Sequence, residues 1–195
     1  MDLPQNLRSD ARENRDRVLA AARELFAEHG LDVGMREVAR RAGVGPATLY
    51  RRFPTRQALV DEAFAVELGV CRAIVLDGVA DPDPWSGFVS VVERLTVMNA
   101  ANRGFVDAFM ATDRPGTAIA EHRRSLLAHL AHLAQRARAQ GRLRQDFVIQ
   151  DLVLVLLAGR ALATIDAADR DAAARRFAVL AVDAFRRGPV PHGAR

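Results

Sequence analysis

The sequence predicts an all-α chain: an N-terminal three-helix domain carrying a helix-turn-helix, followed by a second helical domain, about nine helices in all. Three observations support this. Apolar residues recur at helical spacing in one segment after another. Glycine and proline punctuate the ends of those segments, at Gly30, Pro54, Gly141, the stretch Asp77–Pro84 and Arg114-Pro-Gly116. The run Val38–Phe53 then places Ala39, Gly43 and Leu49 four and six residues apart, which suits two short helices crossing steeply.

Taken in order, residues 1–9 are expected to form a flexible arm. Ser9 or Asp10 can cap a first helix running to about His29, with Val18, Ala22, Leu25 and Phe26 as its apolar stripe. The second helix is expected at about Met35–Ala42, the turn at Gly43–Gly45 and the third helix at Pro46–Arg52. Small Ala39 allows close approach, Gly43 can take the positive φ the turn needs, and Leu49 fills the shared core. Proline at a first helical position loses nothing by lacking an N–H, and Pro54 stops the helix. Thr48, Tyr50, Arg51 and Arg52 are left for a partner. Hydroxyls and guanidinium groups on one short helix suit phosphate oxygens and guanine edges.

Thr55 can cap a fourth helix over about 55–77, whose Leu59, Ala63 and Phe64 pack back on the first three. Residues 77–84 read as a loop. A fifth helix follows to about Ala101, with Trp85, Phe88, Val92 and Leu95 on one face. A sixth spans about Arg103–Met110, and a long seventh covers about Thr117–Gln140. Phe147–Ile165 is apolar almost all round, which predicts burial on most sides. The last helix, about 168–187, has a stripe of Phe177, Leu180, Ala181, Ala184 and Phe185, and 188–195 reads as a tail. The expected division is a helix-turn-helix domain over 10–54, a connecting helix over 55–77 and a ligand-binding and dimerisation domain over 78–188.

Composition narrows the function. All 28 basic residues are arginine, against 24 acidic ones, a net charge of +4. Residues 1–60 hold 11 arginines and 8 acids, and the remaining 135 hold 17 and 16, so the surplus lies with the motif. The longest apolar run, Leu152–Ala158, is too short to span a membrane. The first residues lack a secretory apolar core, and a single Cys71 cannot form an internal disulfide. A cytoplasmic location follows as an expectation. Catalysis has little support: no Gly-rich phosphate loop, Cys-x-x-Cys or His-Glu-x-x-His occurs. No cofactor and no metal site is expected.

The runs Arg17–Gly30, Met35–Val44 and Thr48-Leu-Tyr-Arg-Arg-Phe-Pro-Thr-Arg-Gln-Ala-Leu59 resemble the N-terminal domain of the TetR family of bacterial transcriptional regulators over residues 12–65. The resemblance implies a dimeric, all-helical repressor on a palindromic double-stranded operator, released by a small, mainly hydrophobic molecule. It sets Pro46–Arg52 in the major groove, with Gly45, Pro46, Ala47 and Thr55 at the DNA. Thr48, Arg51 and Arg52 face bases or line the groove, Tyr50, Arg56 and Arg36 clamp phosphates, and Arg12, Asn14 and Arg15 face the backbone. Gly34 stands where members have Ser or Thr, and Gly45-Pro46 replaces a common Ser-Lys. Both departures remove phosphate contacts.

The same resemblance implies a ligand pocket built from Trp85, Phe88, Val92, Leu95 and Met98, then Phe105, Phe109 and Met110, then Leu126, His129 and Leu130. It pairs the last two long helices with their twofold mates through Leu154, Ala158, Ala161, Leu162, Phe177, Leu180 and Ala184. Two other readings stand beside it. The scaffold can sense a metal through His122, His129 and His132, although His122 and His129 lie about 10 Å apart along the helix, or a redox state through Cys71. Alternatively, the chain is a helical enzyme or interaction module with an accidental motif.

Overall fold

The computed structural model describes residues 3–110 and 117–188, with side chains from Ala11 onward. Among these, the regular elements are ten α-helices, a 3-10 turn and one isolated antiparallel bridge, Leu143 to Arg186. They form two compact units, Met1–Leu68 with Gly104–Glu121, and Gly69–Arg103 with His122–Arg195. The units cut across the chain-order division expected from the sequence.

In the first unit, α1 spans Leu3–His29 and so begins before the expected Ser9 or Asp10. Residues 3–9 are helix rather than an arm. Pro4 sits in the first turn, where its missing N–H is harmless, and no glycine or proline follows until Gly30. Val18, Ala22, Leu25 and Phe26 are buried, as their spacing requires. Next come α2 (Met35–Ala42), α3 (Pro46–Arg52) and α4 (Arg56–Ala63). Thr55 caps α4, its Oγ1 accepting from the Ala58 N–H at 3.0 Å.

The expected single helix over 55–77 is broken. Phe64 (φ −107°, ψ 13°) separates α4 from α5 (Ala65–Ala80). Its ring is fully buried, with the rings of Phe26 and Phe105 each 6.0 Å away. Phe105 lies on α7 (Arg103–Met110), which approaches α1 so closely that a Cβ on Gly104 would stand 3.2 Å from the Phe26 backbone. Helical propensity alone does not place this break; the fit of three rings in the core accompanies it.

In the second unit, α5 continues to Ala80, past the expected end at 77, and only 81–83 separate it from α6 (Pro84–Ala101). The glycine taken as a breaker, Gly78, is a contact point. Gly78 and Gly87 bring the two helices so close that a Cβ on Gly87 would collide with the Gly78 carbonyl oxygen. Helix α8 (Ala118–Ala139) secures this corner. Arg136 donates to the carbonyls of Val79 (2.7 Å) and Asp81 (3.3 Å). Gln140 donates to Asp83 Oδ1 (3.0 Å) and accepts from the Trp85 N–H (3.1 Å). The expected turn at 114–116 lies outside the described residues.

Trp85 and Phe88 stack at 6.0 Å, and Phe88 meets Phe147 and Phe185 edge-on at 5.5 and 6.1 Å. The apolar stretch 147–165 departs from expectation twice. It is α9 (Ile149–Gly159) followed by a 3-10 turn (Arg160–Thr164), and within the single chain α9 buries only Leu152, Leu156 and Gly159. Leu154 is 63% exposed, and Leu180 on α10 (Ala167–Phe185) is 52% exposed. Leu157 and Val179 are exposed beside them in the chain, so α9 and α10 each leave apolar side chains uncovered among the described residues.

Candidate nucleic-acid interface

The short helices α2 and α3 hold their geometry through few groups. Gly43 adopts φ +66° at the end of α2, its N–H returning to the carbonyls of Ala39 and Arg40. The Val44 N–H also donates to Ala39 O (3.0 Å). A Cβ at Gly43 would meet nothing within 4 Å, so the backbone angle rather than space calls for glycine there. Leu49 is buried, as are Val38 and Ala39 on α2, the helix against which α3 packs. With Leu49 turned inward, Pro46, Ala47, Tyr50, Arg51 and Arg52 are exposed and Thr48 is half-buried. Gly34 and Gly45 occupy the N-cap positions of α2 and α3 and offer no side-chain cap.

Between α1 and α3 lies a groove of about 360 Å³ whose walls include Asn14, Arg15, Thr48, Arg51 and Arg52. A second hollow of about 470 Å³ is lined by Ala11, Arg12, Arg15 and Arg52. Six of the residues assigned to DNA from the sequence therefore converge: Arg12, Asn14, Arg15, Thr48, Arg51 and Arg52. Arg36, Tyr50, Thr55 and Arg56 are exposed outside these hollows, as are Gly45, Pro46 and Ala47 at the start of α3.

The arginines differ in what already holds them. Arg12, Arg36 and Arg51 have no ion pair among the described residues. Arg15 donates from Nε to Glu62 Oε1 at 2.5 Å and from Nη1 to Asp16 at 2.9 Å. The hydrogen bond that Arg15 donates to Glu62 is the main reason the pKa of its guanidinium is raised above the ordinary value. Arg52 Nη2 lies 3.6 Å from the same Glu62 oxygen. Arg56 is 3.7 Å from Asp32, and Asn14 accepts a hydrogen bond from Arg17. Sequence reasoning missed Glu62. It stands ten residues from Arg52 and 47 from Arg15, so no helical spacing links it to either.

The residues assigned to a ligand divide between the units. Trp85, Phe88, Val92, Leu95, Leu126 and Leu130 are buried in the second, with Met98 and His129 half-buried there. Phe105 is buried in the first, with Phe109 and Met110 half-buried. His129 Nδ1–H donates to the Ser125 carbonyl of its own helix (2.8 Å), and no group of three metal-ligating side chains assembles among the described residues. Burial pushes the Cys71 thiol up to about 12, which leaves it protonated and unreactive near neutral pH. No described helix is long and apolar enough to cross a membrane.

Known proteins agree with this architecture. Residues 18–63 match the family TetR_N, bacterial regulatory proteins of the tetR family, and residues 83–187 match the C-terminal domain of SbtR-like transcriptional regulators. The TetR transcriptional regulator SCO0520 from Streptomyces coelicolor is 34% identical, with a TM-score of 0.52, over 89% of this chain and 98% of its own. A regulatory protein of the tetR family from Rhodococcus RHA1 shares the fold at 20% identity and a TM-score of 0.68, over 90% of this chain and 98% of its own. The HTH-type transcriptional regulator UidR of Escherichia coli K12 is 36% identical over 56 residues, 28% of this chain and only 29% of the relative's length. With a helix-turn-helix unit followed by a regulator-type helical domain, the chain belongs to the TetR family of bacterial transcriptional regulators.

Proposed function

We propose that this regulator is a homodimeric repressor that binds a palindromic operator and leaves it when a small, mainly hydrophobic ligand binds. The observation behind this reading is the two-sidedness of α3. Leu49 anchors one face while the other presents Arg51, exposed beside Thr48 and without an ion pair among the described residues. In this reading Thr48 and Arg51 meet base edges, and Arg12, Arg36, Tyr50 and Arg56 meet phosphates. Two copies would set their α3 helices about 34–36 Å apart on the duplex. The exposed apolar residues of α9, the 3-10 turn and α10, with Leu154, Ala158, Ala161, Leu180 and Ala184 open and Leu162 and Phe177 half-buried, are what a second copy would cover.

The effector would bind among the apolar residues of α6 and α8 in the second unit, with Leu95, Met98, Leu126, His129 and Leu130 outside the Trp85–Phe88 cluster. Helix α5, whose residues fall in both units, would carry the change. Release is then limited by the ligand's differential affinity for the two states. The test is selection of bound sequences from random duplex DNA, with affinity measured against salt for the winner and a scrambled control. Enrichment of a palindrome with half-sites one helical turn apart is expected, and salt-sensitive binding with no enriched sequence would overturn the operator reading. Arg51→Ala should lose roughly 1–3 kcal/mol at one base pair per half-site.

A further inference from the structure

We propose that Glu62 acts as an internal stand-in for DNA phosphate: it holds Arg15 and Arg52 and withholds them from the duplex. Glu62 thereby sets how many phosphates the reading head engages. One carboxylate oxygen accepts from Arg15 Nε at 2.5 Å and lies 3.6 Å from Arg52 Nη2. The two arginines come from different helices, α1 and the end of α3, and both line the hollows beside Arg51 and Thr48. Asp16 takes a further Arg15 N–H at 2.9 Å. Two cations and two carboxylates thus balance on the face where backbone contacts are expected, while Arg12, Arg36 and Arg51 carry no such partner among the described residues. A guanidinium already paired with a carboxylate displaces few counterions from DNA, so it adds little to affinity or its salt dependence. Phosphate contacts carry no sequence information, so the restraint lowers affinity for all duplexes alike. Moderate affinity keeps the complex within reach of release by a ligand, whose leverage is bounded by its coupling free energy.

This inference rests on the DNA-binding reading, and its test separates the two. The full chain is compared with Glu62→Gln, Glu62→Asp, Glu62→Gln combined with Arg15→Gln and Arg52→Gln, and Glu28→Gln, which removes an equal charge from the Arg41 pair. Readouts are elution from heparin, a polyanion without sequence, and affinity against salt for a scrambled duplex and the selected operator. Glu62→Gln should elute at higher salt than wild type and than Glu28→Gln. It should bind both duplexes more tightly by a similar factor, and steepen the salt slope by about 0.9 for each arginine released. Glu62→Asp keeps the charge but shortens the reach, and should shift the same way by a smaller amount. The gain should vanish when both arginines are replaced. The proposal is overturned if Glu62→Gln matches Glu28→Gln, weakens binding, or keeps its gain without the arginines. Absence of any selected operator would count against the operator reading alone, because the heparin comparison still reports on Glu62.

Discussion

The turn between α2 and α3 and the corner between α5 and α6 both depend on glycine, for opposite reasons. At the first, Gly43 holds φ +66° with open space where a side chain would project. Its own backbone requires it. At the second, Gly78 and Gly87 have ordinary helical angles, but each faces the other helix with no room for a methyl group. Their neighbours require them. The first kind of constraint is local and travels with the motif. The second exists only once two helices and the Arg136–Gln140 clasp are assembled.

The comparison breaks most visibly at Gly87. Gly87→Ala should cost about 1–3 kcal/mol, because the added methyl meets the Gly78 carbonyl and Asp81 Cβ rather than a flexible chain end. Gly87→Asn should do no better. A urea midpoint for Gly87→Ala equal to wild type would mean the helices can part without cost. Gly43→Ala should cost roughly 1–2 kcal/mol through the left-handed angle. Here Gly43→Asn should recover part of the loss, since asparagine tolerates that region. Equal losses for Ala and Asn at Gly43 would point to crowding and erase the distinction.

Two smaller effects sharpen it. Asp83 caps α6 by accepting from Ser86 Oγ (2.7 Å), Gln140 and the Trp85 N–H. These bonds, Ser86 first and Gln140 next, hold its carboxyl below the usual range. A lowered folded value means that its contribution is present above the unfolded value, about 3.9, and is lost as pH falls through the folded one. Wild type should therefore exceed Asp83→Asn in stability at neutral pH, and the gap should close in acid. A gap that persists unchanged into strong acid would assign the effect to packing. Last, Gly34→Ser should add only a few tenths of a kcal/mol by capping α2, yet tighten DNA binding if the missing hydroxyl is a missing phosphate contact. Unchanged affinity for every duplex would remove Gly34 from the interface.

Much of the first unit was legible in the sequence because its signals are short-range. Gly43, Pro46, Leu49 and the Thr55 cap each act within about four residues, and their placements hold. That Arg15, Arg51 and Arg52 line one groove, and Arg12, Arg15 and Arg52 the hollow beside it, was not written in any short-range signal, because it depends on how α1 and α3 cross. The break at Phe64 could not be read that way, because it goes with Phe26 and Phe105, 38 and 41 residues distant. Gly78 was misread as a breaker for the same reason. Pattern alone shows a residue poor in helix propensity, and only the partner helix shows why it is tolerated.

By itself, then, the sequence determined the helical class, the helix-turn-helix and which side chains of α3 are exposed, since periodicity, capping and turn chemistry are encoded within a few residues of where they act. Tertiary structure decided the rest. It placed α7 in the first unit, set Gly78 against Gly87, left Leu154 and Leu180 bare, and brought one carboxylate from α4 to two arginines on α1 and α3. Those outcomes join residues far apart in the chain, and no local pattern specifies which distant side chains will share a site.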